Sequence, residues 1–215
     1  MQAIKSVLKI SVVLVAVIAI NMVGTANAAA SSPDFALTAN ITLAGAYTQN
    51  DVVFVQENLA FLQKYLPTWY QYVADAGALT LTIDVAEGAV GRAATAKCCD
   101  AQGRGVITFG FHFGQSPDDA GQTSEAQRVA FIGTFVHEVT HILDQRAGRQ
   151  TKTNFKSCVA AEKSGLEKQL QVKRDLAGAQ VSGEFVDALN RQIRAEASAL
   201  VSRELWQQYC GAFQN

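Results

Sequence analysis

Residues 124–148 read SEAQRVAFIGTFVHEVTHILDQRAG, and this stretch decides how the rest of the chain is read. Ser124, with Gln127 three residues on, has the form of a capping box, in which two side chains satisfy the free amides that open a helix. Gly148 supplies the stop. Between them Ile132, Val136, Val139 and Leu143 recur at helical spacing, so one side of this helix packs into a core. His137 and His141 stand four residues apart, one turn from each other on a common face. The pair belongs to the motif His137-Glu138-Val139-Thr140-His141.

Working outward, Val106–Phe113 reads as a strand ahead of this helix, apolar on both sides. Before it, Leu79, Leu81, Ile83 and Val85 alternate with Thr80, Thr82 and Asp84, the cleanest half-buried strand in the chain. Segments 88–103 and 114–123 read as loops, the second rich in Gly, Ser, Pro and Asp. Leu37, Ala39, Ile41 and Leu43 suggest a short strand near the start. Asp51 is placed to cap a helix with Val55, Leu59, Leu62 and Leu66 on its apolar side, ended or kinked by Pro67. After the central helix, two more are expected, at about 155–176 and 182–209. The fold class is α+β: a small sheet packed against the 124–147 helix, followed by further C-terminal helices.

The chain has 215 residues, enough for one domain. Its first 28 residues have the form of an export signal: Lys5 and Lys9, an apolar run from Ile10 to Val23, then the small residues Ala26-Asn27-Ala28. The division is therefore a signal over 1–28 and one domain over 29–215, secreted or periplasmic and without a stable membrane anchor once cleaved. Cleavage removes two lysines and no acid, so the mature chain is more acidic than the formal −1. That argues against a nucleic-acid partner, which needs a basic face. Apolar residues make up 49% of the chain, which argues against disorder. Cys98, Cys99, Cys158 and Cys210 all lie beyond the signal and are expected to form disulfides in an oxidising compartment. A bond between the neighbours Cys98 and Cys99 strains the chain, so each is expected to reach for Cys158 or Cys210.

Two imidazoles one turn apart suit one Zn²⁺, and Glu138 reaches the remaining coordination position without being a ligand. There it acts as the base that takes a proton from an acidified water. On His137, Glu138 and His141, with a strand before the helix, the sequence resembles the zincin metalloproteases, specifically their gluzincin branch. The metzincin branch places glycine and histidine where this chain has Asp144 and Ala147. The resemblance implies a zincin-like single domain, one zinc ion, and an exported peptidase whose edge strand pairs with an extended protein or peptide substrate. It assigns that edge to residues 106–113.

The resemblance also asks for a glutamate as third ligand, from Glu162, Glu167, Glu184, Glu196 or Glu204. Glu196 is favoured. It shares a face with Ile193 and Leu200, and 195–199 (Ala-Glu-Ala-Ser-Ala) is similar to the E-x-x-A ligand helices of several gluzincins. Glu162 competes, beside Cys158, Val159, Gly165 and Leu166 and at nearly thermolysin-like spacing from His141. Asp144, one turn after His141, is a candidate hydrogen-bond acceptor for a ligand imidazole. His112 or a tyrosine such as Tyr209 is a candidate for stabilising an oxyanion, and the run Tyr65, Trp69, Tyr70, Tyr72 for packing or for binding. The alternatives are a non-catalytic binding module of the same fold and a zinc hydrolase acting on a non-protein amide.

Overall fold

Strand alternation puts most of the large apolar side chains on one side of a single sheet. In a computed structural model of the chain, which describes residues 32–86, 94–113, 124–149, 152, 154–179 and 183–213, the strands are β1 (Ser32–Ala36), β2 (Ile41–Gly45), β3 (Leu79–Ile83), β4 (Ala94–Cys98) and β5 (Gly105–Phe109). Their order across the sheet is β1-β2-β3-β5-β4. The β2–β3 and β3–β5 pairs are parallel, and the outer strands β1 and β4 run antiparallel to their neighbours. Leu43, Leu79, Leu81, Ile107 and Phe109 are buried on the inner side, each worth about 1.5–3 kcal/mol of transfer free energy. Thr42, Thr82, Thr95 and Thr108 lie at the alternate positions, where Thr82 and Thr108 join hydroxyls at 2.9 Å.

Six α-helices accompany the sheet among the described residues: α1 (Gln49–Tyr65), α2 (Pro67–Asp75), α3 (Ser124–Arg146), α4 (Phe155–Gly178), α5 (Gly183–Ala199) and α6 (Arg203–Cys210). The α+β class expected from the sequence is what the chain adopts. Helix α3 lies close against the inner side of the sheet, and Gly105 permits that approach. A Cβ there would meet the side chains of Ile142 and Leu79 at 2.7 and 2.9 Å. No described helix is long and apolar enough to cross a membrane.

Several expectations need correction. The strand before α3 is not the edge: β5 is paired on both sides, and β4 is the edge strand on that flank. Segment 88–103 was expected to be all loop, yet 94–98 is that strand. Its residues Ala-Thr-Ala-Lys-Cys are too small and polar to show apolar alternation. The expected first strand over 37–43 instead holds the turn of a hairpin, 37–40, and the start of β2, which pairs back on β1. Thr48 rather than Asp51 caps α1; Asp51 is the third residue of that helix, and its carboxylate reaches back to the Thr48 amide at 2.7 Å. The last expected helix is broken, because Ser202 starts α6 by accepting from the Leu205 amide.

Cys98 and Cys99 do not reach for Cys158 and Cys210 as expected: the cysteines pair as Cys98–Cys99 and Cys158–Cys210. The sheet fixes Cys98 at the end of β4, while Cys158 on α4 meets Cys210 at the end of α6, with Cα atoms 5.8 Å apart. The four sulfurs thus occupy two separate places. The proposed signal and the loop 114–123 lie outside the described residues.

Candidate metal centre

Helix α3 has two working sides. Ile132, Val136 and Val139 are fully buried in the core, as their spacing predicts. On another side His137 and His141 turn their Nε2 atoms toward each other at 3.0 Å. The carboxylate that meets them comes from α4, the next helix. Glu162 Oε2 lies 3.3 Å from Nε2 of His137 and 3.7 Å from Nε2 of His141. All three residues are buried, and their donor atoms form a group able to hold a metal ion. A tetrahedral ion with bonds of about 2.0–2.1 Å keeps its donors about 3.3 Å apart, so these separations bracket what such an ion demands.

Glu196, the favoured third ligand, goes elsewhere. Its two oxygens accept from Lys173 Nζ at 2.7 and 3.0 Å, and Gln192 adds a third contact at 2.9 Å. The apolar face that made Glu196 look costly without a metal is real, but a buried lysine satisfies it instead. Glu162 is the carboxylate that joins the histidines.

The other Glu162 oxygen accepts from Lys152 Nζ at 2.6 Å. Burial alone pushes the pKa of this carboxyl up. Hydrogen bonds with His137 and His141, and the charge of Lys152, outweigh burial and hold it well below the usual carboxylate range. Glu138 shows the opposite balance. Burial pushes its pKa up, the two histidines oppose that, and the negative charge of Glu162 adds to it. Two carboxyls in one site are thus pushed apart, one kept as an anion and one made the stronger proton acceptor.

Gly165 follows Glu162 by three residues on the same face of α4. A Cβ at this position would lie 2.8–2.9 Å from the Nε2, Cδ2 and Cε1 atoms of His137. The glycine is therefore what lets α4 bring Glu162 within reach. Gly165→Ala is expected to cost about 1–3 kcal/mol of stability by overpacking and, if the group holds zinc, to weaken that binding by displacing the ring. Thermal unfolding with and without zinc checks this; the rise in melting temperature on adding zinc shrinks in the variant. An alanine variant with an unaltered zinc response would show that the contact is easily relieved.

Of the remaining candidates, Asp144 is held by Arg149 at 2.9 Å and by the Ser164 hydroxyl at 3.1 Å. Because Ser164 lies between Glu162 and Gly165, Asp144 braces the two metal-site helices against each other. Nδ1 of His137 is buried without a hydrogen-bond partner among the described residues. His112 Nδ1 sits 2.9 Å from the buried Asp51 carboxylate, which also accepts from the Phe113 amide at 2.6 Å. That contact ties the segment after β5 to the start of α1. Tyr209 is half-exposed on α6. Its phenol is pushed up by lost hydration and then by the carboxylates of Glu162, Glu196 and Glu138. Cys210, the next residue, is bonded to Cys158, one turn before Glu162 on α4. The aromatic run packs. Trp69 is buried, donates to Asp175 at 2.6 Å and meets the Tyr72 ring edge-on, while Tyr72 hydrogen-bonds Thr140 of α3 at 2.9 Å.

Sequence reasoning did not single out Lys152, Gln145 or the role of Gly165. Lys152 stands in the connection between α3 and α4, where no periodicity points to it. Gln145 did carry a signal, since it continues the four-residue spacing of His137 and His141. Its side chain accepts from the Cys98 backbone amide at 2.6 Å, fastening β4 to α3. No protein-family model matches this chain, and no curated protein or solved structure matches it either.

Proposed function

We propose that the protein is an exported zinc-dependent peptidase of zincin type, with His137, His141 and Glu162 as ligands and Glu138 as general base. One observation carries this: two imidazole nitrogens and a carboxylate oxygen converge at tetrahedral donor spacing, with a second buried carboxyl beside them. Two neutral imidazoles with one carboxylate form the donor set of catalytic zinc sites, in which a fourth position stays open to water. Held by these three residues, zinc would supply the acidification of a water and the polarisation of a carbonyl. Glu138 takes the proton of the attacking water and delivers it to the departing amine. Its raised proton affinity suits a group that must first accept and then release. Lys152 keeps the outer oxygen of Glu162 occupied, leaving the inner one for the metal.

The outermost place of β4 among the described strands supports a peptide as substrate, because an extended chain can add to a sheet edge through its own backbone. The two disulfides fit an oxidising compartment, in keeping with the N-terminal signal. Digestion of casein and of a peptide library, with and without a chelator, tests the proposal. Cleavage that stops on chelation and returns with zinc is expected. A folded, zinc-loaded protein that leaves every peptide intact would favour a binding module instead.

A further inference from the structure

The direction of the backbone groups along β4 follows from its neighbours. The Gly105 amide donates to the Ala78 carbonyl at 2.9 Å, and the Phe109 carbonyl accepts from the Asp84 amide at 2.8 Å. The alternate residues 105, 107 and 109 of β5 therefore turn their amides and carbonyls toward β3. Their partners across the other ladder are Cys98, Ala96 and Ala94. In an antiparallel ladder such positions are non-hydrogen-bonded pairs, and the edge residue of each turns its backbone groups outward. Three outward positions result. One is already taken: the Cys98 amide donates to Gln145.

Gln145 stands one turn beyond His141 and two beyond His137. It therefore ties the edge strand to the helix that carries the metal site. Strand β4 runs antiparallel to β5. The Cys98 end of β4 lies near Gln145, and Gly105, opposite Cys98, lies against Ile142. At the other end of the strand Ala94 lies opposite Phe109, whose ring meets Phe131, so from Cys98 to Ala94 the edge runs back along the earlier turns of α3.

We infer that Gln145 is a positioning residue for substrate, setting the register of β4 against the metal site and closing one end of the strand-addition edge. A peptide then pairs with Ala96 and Ala94. This rests on the peptidase proposal above for its substrate, though its geometry stands by itself. Removing the acceptor frees β4 to shift along α3, so peptide pairs less well with the edge while the ligands His137, His141 and Glu162 stay in place.

Two measurements test it. In steady-state hydrolysis, Gln145→Leu raises KM about three- to tenfold, the loss of one hydrogen bond's positioning, with kcat and zinc affinity unchanged. Gln145→Glu, which keeps an acceptor oxygen, restores KM. A purely structural role would lower the melting temperature without splitting KM from kcat, and that outcome overturns the inference. The second measurement is amide exchange in the zinc-loaded Glu138→Gln protein, which binds peptide without turnover. Saturating peptide slows exchange at Ala94 and Ala96, and Gln145→Leu weakens that protection. If peptides are cleaved while both amides stay unprotected, the peptidase proposal survives and this inference fails. If the amides are protected but nothing is cleaved, the edge site stands and the reaction fails.

Discussion

Glu162→Gln lowers zinc affinity by more than about 100-fold, whereas Glu196→Gln leaves it nearly unchanged. The first figure is bounded by the 10- to 100-fold cost of losing a residue that merely supports a ligand; losing the ligand itself costs more. Among the described residues, Glu162 Oε2 is the carboxylate oxygen that lies 3.3 and 3.7 Å from the two imidazoles. Glu196 instead accepts twice from Lys173, which is nearly inaccessible to water, so its replacement acts on stability. A charge-assisted hydrogen bond lost there costs about 1.5–3 kcal/mol, at the low end because Glu196 is partly exposed. The two variants thus separate: one loses metal, the other loses melting temperature. Competition against a chromophoric chelator, alongside thermal unfolding of the metal-free proteins, measures both. A Glu196 variant that loses zinc while the Glu162 variant keeps it would reverse the ligand assignment.

Glu138→Gln keeps zinc and loses activity by about 10²–10⁴-fold in kcat, the range that a positioned general base supplies. The amide has nearly the shape of the carboxylate, so the fold and the ligands persist. What it lacks is a site for the proton. The magnitude should lie toward the upper end, because Glu138 is buried and desolvation strengthens its hold on a proton. Neither of the two carboxyls weighed as ligands is free to substitute: Glu162 faces the histidines and Lys152, and Glu196 faces Lys173. Zinc content by elemental analysis and kcat on a peptide substrate together decide the matter. Undiminished turnover in this variant would remove Glu138 from the mechanism.

Much of the candidate site was legible in the order of residues. The histidines and Glu138 lie within a single helix, where spacing alone dictates which side chains share a face. The apolar stripe Ile132, Val136, Val139 and Leu143 told which side is buried: the first three are fully buried and Leu143 partly. The strand Leu79–Ile83 was legible for the same reason, since its alternation has large side chains to display. β4 escaped notice because Ala94, Thr95 and Ala96 look alike to any hydrophobic pattern. The break at Ser202 was hidden because a hydroxyl cap resembles any other serine in a polar helix.

The sequence alone determined the α+β class, the helix that carries the motif, and the two imidazoles with their neighbouring acid, because each is a matter of local periodicity. Tertiary structure alone decided which distant glutamate completes the group, which strand is the edge and how the cysteines pair. Those outcomes depend on how closely two helices approach, and here that distance is set by the missing side chain at Gly165 and by a buried lysine that claims Glu196.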